Sequence, residues 1–355
     1  MRIVILKCEA LGDVLRTTPL ATSLFQQYPN CEIIWIARGD SVLLLEHNIS
    51  IKSVYSIDLY PDAILSEKYD WVISLEEDTI TASLATKLDT KKFSGVYIDL
   101  NGQLNYTTDM TDWFSMSLVA LFKGHSLEEI NLIKRANKRS YLEILYECLA
   151  VSYPIYRPVF NVGAFEKSAI ERRLESCFSN TTVPVICIFM GGSNKWARKP
   201  FTPEQVLTLV DYIKQRILCN IIVLGGINEE VMLLDIQAKM SSESCCLGAS
   251  SISELATIIS ISDLLITTDS LPLHLANTQA KPFIALFGPT SSSEIDCYDR
   301  GIKIETLLKC KCCYLRQCIE CLDCRDNFNL DSVVTSAVSL LENFGSTTKF
   351  GDYNG

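Results

Sequence analysis

The chain has no run of about eighteen uninterrupted apolar residues, so no membrane-spanning helix is expected. Its opening, Met1-Arg2-Ile3-Val4-Ile5-Leu6-Lys7, turns charged again before a secretory signal core can form, and a reducing cytoplasm is the expected compartment. It also lacks a basic excess: 32 Lys and Arg stand against 42 Asp and Glu, a formal net charge of -10. That balance argues against nonspecific nucleic-acid binding, although a few backbone amides and one Lys can still build a local phosphate site. The glycine fingerprint G-x-G-x-x-G is missing after the first predicted strand, where only Gly12 occurs, which counts against ordinary NAD binding. No acidic metal-binding motif and no convincing internal repeat are present.

What is there describes a foldable globular protein, 48% hydrophobic and 21% charged. At 355 residues it suits two domains of roughly 150 to 180 residues better than one core. The expected division is 1–165 and 166–330, followed by a terminal helix and tail over 331–355. Fifteen Cys do not imply a disulfide framework, because the chain is large and their number is odd. Cys8, Cys31, Cys187 and Cys219 sit in or beside apolar runs and read as small buried hydrophobes.

Short apolar strands are expected at 3–6, 32–37, 53–57, 71–74, 183–189, 220–224, 264–267 and 283–287. Helices are expected after Gly12-Asp13, from Val42 to Glu46, from Trp113 to Phe122, from Tyr141 to Val151 and from Ser332 to Phe344. Thr202-Pro203-Glu204-Gln205 is a helix start with a capping Thr, a first-turn Pro and a completing Gln; Ser251 and Glu254 suggest a second. Strands alternating with helices imply α/β architecture, two doubly wound parallel sheets with ligands outside the strands' carboxyl ends.

The candidate site residues therefore lie at strand ends. Asp13, just after the first strand, can accept a proton from an alcohol, or simply cap the following helix. Gly191 to Phe201 combines a flexible turn, hydroxyl and amide donors and the cations Lys195, Arg198 and Lys199, which suits a phosphate; a plain solvated loop is the alternative. Gly225-Gly226 with Glu229 offers a turn whose carboxylate can meet ribose hydroxyls. Asp269-Ser270-Leu271-Pro272 opens a helix whose first amides can face a phosphate, with His274 orienting that site or packing behind it.

Taken in order, Leu11-Gly12-Asp13 with Thr18-Pro19, Lys199 to Thr202, Leu224-Gly225-Gly226 with Glu229, Asp269-Ser270 with His274-Leu275-Ala276, and Phe287 to Thr290 span nearly the whole chain. This series resembles the ADP-heptose:lipopolysaccharide heptosyltransferases, glycosyltransferase family 9. The resemblance implies a GT-B fold, two Rossmann-like domains facing an interdomain cleft, with the acceptor in the first and the sugar nucleotide in the second. It implies Asp13 as the base, and Lys199 as both donor ligand and stabiliser of the leaving diphosphate. Ser193, Glu229, Asp269, Ser270, Leu271 and His274 complete the donor site. The reaction implied is inverting transfer of heptose from a nucleoside-diphosphate heptose, ADP-linked, to a hydroxyl-bearing cell-envelope glycan or lipid-linked acceptor. Transfer to a protein or small metabolite, or a noncatalytic sugar-nucleotide-binding module, are the alternatives. No nucleic acid and no catalytic metal are expected. The expected place of action is the cytoplasm, with peripheral contact at the inner face of its membrane. Two departures bear on specificity: Leu271 stands where the family has Gly, and Lys199-Pro200-Phe201-Thr202 replaces Lys-x-Trp-Pro.

Six Cys fall between residues 310 and 324. Cys310/Cys313, Cys318/Cys321 and Cys321/Cys324 each have C-x-x-C spacing, which suits a structural zinc or iron site with four thiolates; free thiols or a disulfide are the other reading. Family members with a comparable late cluster point to Cys310, Cys313, Cys318 and Cys324 as ligands, with Cys312 and Cys321 as alternatives.

Overall fold

The computed structural model describes the whole chain except residues 117–125, 153, 162–163, 190, 193–194, 197, 227–228, 241–242, 250, 320 and 345–355. Two compact units emerge: Met1–Phe160 with Ser293–Asp296, and Asn161–Ser292 with Cys297–Gly355.

In the first unit, β1 (Arg2–Leu6) feeds α1 (Leu11–Gln27), followed by β2 (Glu32–Ala37), β3 (Ser53–Ser56) and the short α2 (Ala63–Ser66). Then come β4 (Lys68–Ser74), α3 (Thr79–Lys87), β5 (Asp89–Ile98), β6 (Leu104–Tyr106), α4 (Thr111–Met116), α5 (Leu127–Ala136) and α6 (Tyr141–Leu149). The sheet order is β3-β2-β1-β4-β5-β6, parallel except for the final β5/β6 pair. Ile3 to Leu6 are fully buried, the unbroken apolar run of a central parallel strand covered on both faces. Inside α1, Pro19 lacks the N–H that would bond the Leu15 carbonyl; Thr18 Oγ1 donates to that carbonyl instead, at 2.8 Å.

The helix expected at Val42–Glu46 does not form. Ser41, Val42, Leu43 and Leu45 each bond the carbonyl three residues back, giving successive tight turns without an α-helical ladder. Of the helix expected from Trp113, the part beyond Met116 lies outside the described residues.

The second unit runs α7 (Ala164–Glu175), β7 (Val185–Phe189), α8 (Pro203–Lys214), β8 (Asn220–Gly225), α9 (Glu230–Lys239) and β9 (Ser244–Gly248). It continues with α10 (Ile252–Ile261), β10 (Leu264–Thr268), α11 (Leu271–Thr278), β11 (Phe283–Phe287), β12 (Gly301–Glu305) and α12 (Leu330–Phe344). Its order, β12-β11-β10-β7-β8-β9, is parallel throughout. Thr202 and Gln205 cap α8 reciprocally, and Ser251 caps α10 by accepting from the Glu254 amide. Ile186, Ile188, Val206, Leu209, Ile221 and Ile266 join strands and helices into one core.

Both sheets share one topological feature. The first grows outward from β1 through β2 to β3, then returns to β1 and grows the other way through β4. The second does the same, with β7 and β10 side by side. At each reversal the flanking connections leave to opposite faces, opening a crevice at the strands' carboxyl ends. No described helix is long and apolar enough to cross a membrane.

Candidate functional site

In the first unit the crevice lies between the ends of β1 and β4. Asp13 falls in the first turn of α1, three residues after Ala10, so Ala10 and not Asp13 is the N-cap. Its half-exposed carboxylate pairs with Arg16 Nη2 at 2.8 Å. The Arg16 guanidinium in turn lies over the Tyr141 ring, 4.0 Å from its centroid, and Tyr141 shares a 2.9 Å hydrogen bond with Thr17. Burial holds the Tyr141 phenol above its ordinary pKa, so it stays protonated at neutral pH. Asp13 is thus a solvent-reachable carboxylate on a rigid helix start, steered by a cation from its own helix.

Beneath it sits a pair that motif reading passes over. Glu76, two residues after β4, accepts the amides of Cys8 and Glu9 at 2.8 and 2.9 Å, and the Lys7 ammonium at 2.9 Å. Lys7 is buried, and its Nζ also donates to the Glu9 carbonyl. Burial by itself would lower the Lys7 pKa, but the facing Glu76, then Asp13 and Tyr141, outweigh it and raise the pKa. The strand-end amides where a phosphate would otherwise bind are therefore filled by a carboxylate of the same chain.

The second crevice, between β7 and β10, is built differently. Lys199 Nζ lies 3.5 Å from Asp269 Oδ2, and both side chains are largely buried. With them, Arg198, Thr268, Gly288 and Arg325 line a small pocket at the ends of β10 and β11. Asp323 holds both arginines, at 3.6 Å from Arg198 Nε and 2.6 Å from Arg325 Nη2. Three cations thus face two carboxylates, an excess of one positive charge. Ser270 Oγ is within 3.2 Å of Thr267 Oγ1 and donates to the Thr268 carbonyl at 3.3 Å, so it does not cap α11 and the helix start carries no side-chain cap. Leu271 is half-buried at that start, and His274 is buried one turn on.

Glu229 folds back over its own turn, accepting the Gly226 amide at 2.9 Å. A Cβ at Gly225 would meet the Glu229 Cβ at 2.8 Å, and one at Gly191 would meet its carboxyl carbon at 3.0 Å. Glycine at both places lets this carboxylate sit at the joined ends of β7 and β8. Lys199 and Asp269 are thus brought together, Ser270 and Leu271 follow directly at the start of α11 with His274 buried behind, Glu229 sits at the ends of β7 and β8, and Ser193 lies outside the described residues. Lys7, Glu76, Arg16, Thr268 and Arg325 are additions. A search of residues following each predicted strand would have flagged Thr268; the position of Glu76 depends on strand order, and those of Arg16 and Arg325 on packing.

The cysteine segment corrects an expectation. Among the described residues, no group of three or more His, Cys, Asp or Glu is placed to hold a metal ion, and all fifteen Cys are outside disulfides. Cys310, Cys313, Cys318 and Cys324 line a pocket shared with Leu315, Leu322, Arg198 and Lys311, while Cys312 is buried elsewhere and Cys321 is exposed. Burial, then Asp323 and the neighbouring thiols, pushes the Cys324 thiol up to about 11. The residues do not fit the group. Hydrogen bonds anchor the segment instead: Cys312 N–H to the Gly288 carbonyl and Tyr314 N–H to the Pro289 carbonyl, both 2.9 Å. Left-handed backbone at Cys312 and Tyr314 makes the turns that allow this.

Two doubly wound Rossmann-like domains, the second with a cation-lined pocket at its strands' carboxyl ends, define a protein of the GT-B glycosyltransferase class. A family model described as glycosyltransferase family 9 (heptosyltransferase) matches residues 130–322, a little over half the sequence. The chain belongs to that family and is a glycosyltransferase. No curated protein sequence matches it. Among solved structures, it is similar to a family 9 glycosyl transferase from Veillonella parvula, with TM-score 0.71, 19% identity and coverage of 96% of this chain and 97% of that one. It is also similar to the ADP-heptose LPS heptosyltransferase II of E. coli, with TM-score 0.65, 15% identity and coverage of 98% and 100%. For the E. coli heptosyltransferase WaaC with ADP the TM-score is 0.63, the identity 16% and the coverage 96% and 100%. At these identities the likeness establishes the fold.

Proposed function

We propose that this glycosyltransferase moves heptose, with inversion, from a nucleoside-diphosphate heptose to a hydroxyl of a cell-envelope glycan or lipid-linked acceptor. The observation that carries the reading is the Lys199–Asp269 pair just after β10, inside a pocket lined by two further cations, Arg198 and Arg325. A diphosphate entering there would take Lys199 from Asp269 and gain a partner that strengthens as the leaving group acquires charge. Asp269, Ser270 and Leu271 would meet the donor beside the uncapped start of α11, His274 would hold that start from behind, and Glu229 would face the ribose. Ser193 is assigned to the same site from its place in the loop. ADP is the preferred carrier, since two of the structural relatives are named for ADP-heptose or hold ADP.

Asp13 would take the acceptor's proton as the new carbon–oxygen bond forms at the anomeric carbon and the bond to the diphosphate breaks. Arg16, paired to it, would orient the carboxylate toward the acceptor. The donor role falls to the second unit and the acceptor role to the first, whose own strand-end amides are occupied by Glu76. A cytoplasmic site of action, in peripheral contact with the membrane, follows from the acceptor proposed.

The test is incubation of the protein with ADP-, GDP- and UDP-linked sugars and candidate acceptors, with mass spectrometry of both products. Equimolar nucleoside diphosphate and glycosylated acceptor from ADP-heptose is the expected result. Binding of donors without transfer to any acceptor would favour a noncatalytic module.

A further inference from the structure

Thr267 and Thr268 end β10 with two hydroxyls in different circumstances. The Thr267 hydroxyl lies 3.2 Å from Ser270 Oγ. Thr268 is 4% exposed and its Oγ1 meets no hydrogen-bond partner. At the end of an apolar parallel strand, Val has the same shape and would avoid leaving a polar atom unsatisfied. Such orphaned groups are scarce in folded proteins, and one in a binding crevice calls for a partner that arrives from outside.

Its position says what that partner is. Thr268 lines the pocket with Lys199, Asp269 and Arg325, and it stands at the β7/β10 reversal. Across from it, a Cβ at Gly192 would lie 3.6 Å from Thr268 Oγ1 and 3.9 Å from Lys199 Cγ. Gly192 thus lies within ordinary contact distance of both the hydroxyl and the lysine stem. A hydroxyl that shares a pocket with Arg198, Lys199 and Arg325 is suited to donate to an anionic oxygen drawn there by those charges.

We infer that Thr268 is a donor-positioning residue whose hydroxyl hydrogen-bonds a diphosphate oxygen of the sugar nucleotide, beside Lys199. The inference rests on the donor site proposed above and adds to it a neutral, directional contact supplied by the strand end. Lys199 attracts the diphosphate without fixing its orientation, because an ammonium is a rotatable point charge. A buried hydroxyl on a rigid strand admits few orientations, and so sets where the phosphate sits.

The experiment is titration calorimetry of ADP, UDP and GDP into wild type, Thr268→Val, Thr268→Ser and Thr268→Ala, together with thermal unfolding of each protein without nucleotide. Thr268→Val should unfold at the same temperature as wild type or higher, yet bind the preferred nucleotide about tenfold more weakly, the scale of one hydrogen bond to a charged group. Thr268→Ser should bind within about twofold of wild type, since it keeps the donor. That split between stability and binding separates a ligand contact from a packing role. Undiminished binding by Thr268→Val overturns the inference, as does equal loss in the Val and Ser variants. Should Thr268→Val fail to fold, Thr268→Ala decides: it removes the hydroxyl without adding bulk, and wild-type binding by this variant overturns the inference. Wild-type protein that binds none of the three nucleotides defeats the donor-site reading itself, and this inference with it.

Discussion

Replacing Glu76 with Ala tests how the first unit's crevice is held together. Glu76 Oε2 serves two amides and the Lys7 ammonium, and the side chains of the pair are 7% and 17% exposed. Removing one member of so buried an ion pair costs about 3–5 kcal/mol, because the other charge stays in a poorly solvated place. The Glu9 amide adds little, since its exposed side of the loop admits water, whereas the amide of the buried Cys8 loses its acceptor and keeps the cost within that range. Taking about 4 kcal/mol, and about 2–4 °C per kcal/mol for a unit of this size, the unfolding midpoint should fall by about 8–16 °C. Tryptophan emission suits the measurement, since Trp35, Trp71 and Trp113 lie in the first unit and Trp196 in the second. The deficit should also be flat between about pH 6 and 9. A Lys whose folded pKa is raised contributes stability fully below the unfolded value near 10.5 and loses it only as pH climbs through the folded value. A midpoint within about 2 °C of wild type would refute the reasoning, because the carboxylate would then hold neither the ammonium nor the loop.

Asp13→Asn should lower the transfer rate by at least about 100-fold, the usual scale of a general base, while ADP affinity measured by calorimetry stays unchanged. Lys199→Ala should weaken ADP binding and slow release of the diphosphate together, followed in the same two assays. Thr202→Ala should cost about 1 kcal/mol in denaturant unfolding, since it removes the acceptor for the Gln205 amide at the start of α8. Burial would raise the Asp323 carboxyl pKa, but the Arg325 hydrogen bonds and charge outweigh it and hold it below the usual carboxylate range. Its stabilisation is therefore present above about pH 4 and lost as pH falls through the folded value, so the deficit of Asp323→Asn should close on acidification of the thermal melts.

The alternation of short apolar strands with capped helices made the α/β architecture legible, because central parallel strands such as Val185–Phe189 bury both faces and read as unbroken apolar runs. β5 was not legible. Its sequence Asp89-Thr90-Lys91-Lys92-Phe93-Ser94 is polar, and it gains its place by pairing with β4 on one side and β6 on the other. Nor was β12, which opens at Gly301 and is only partly buried. At the site, Asp13, Lys199 and Asp269 announced themselves as charged residues at strand ends. Glu76 did not, because its importance depends on β4 lying next to β1, which is a fact of strand order. The cysteine spacing pointed the wrong way: closeness along the chain brought thiols to one pocket wall, but the turns at Cys312 and Tyr314 are anchored to the loop after β11 by backbone hydrogen bonds.

The tetrapeptide Ser293–Asp296 is counted with the first unit although the sequence around it belongs to the second. Within it, Glu294 takes the deeply buried Lys134 ammonium at 2.8 Å, and its carbonyl takes the Tyr141 amide at 3.0 Å. A truncation ending at Phe160 would discard both acceptors along with more than half of the polypeptide. Expressing either half alone is consequently not a clean dissection: the N-terminal piece would need those four residues supplied on a tether, and the C-terminal piece would carry them with nothing to grip.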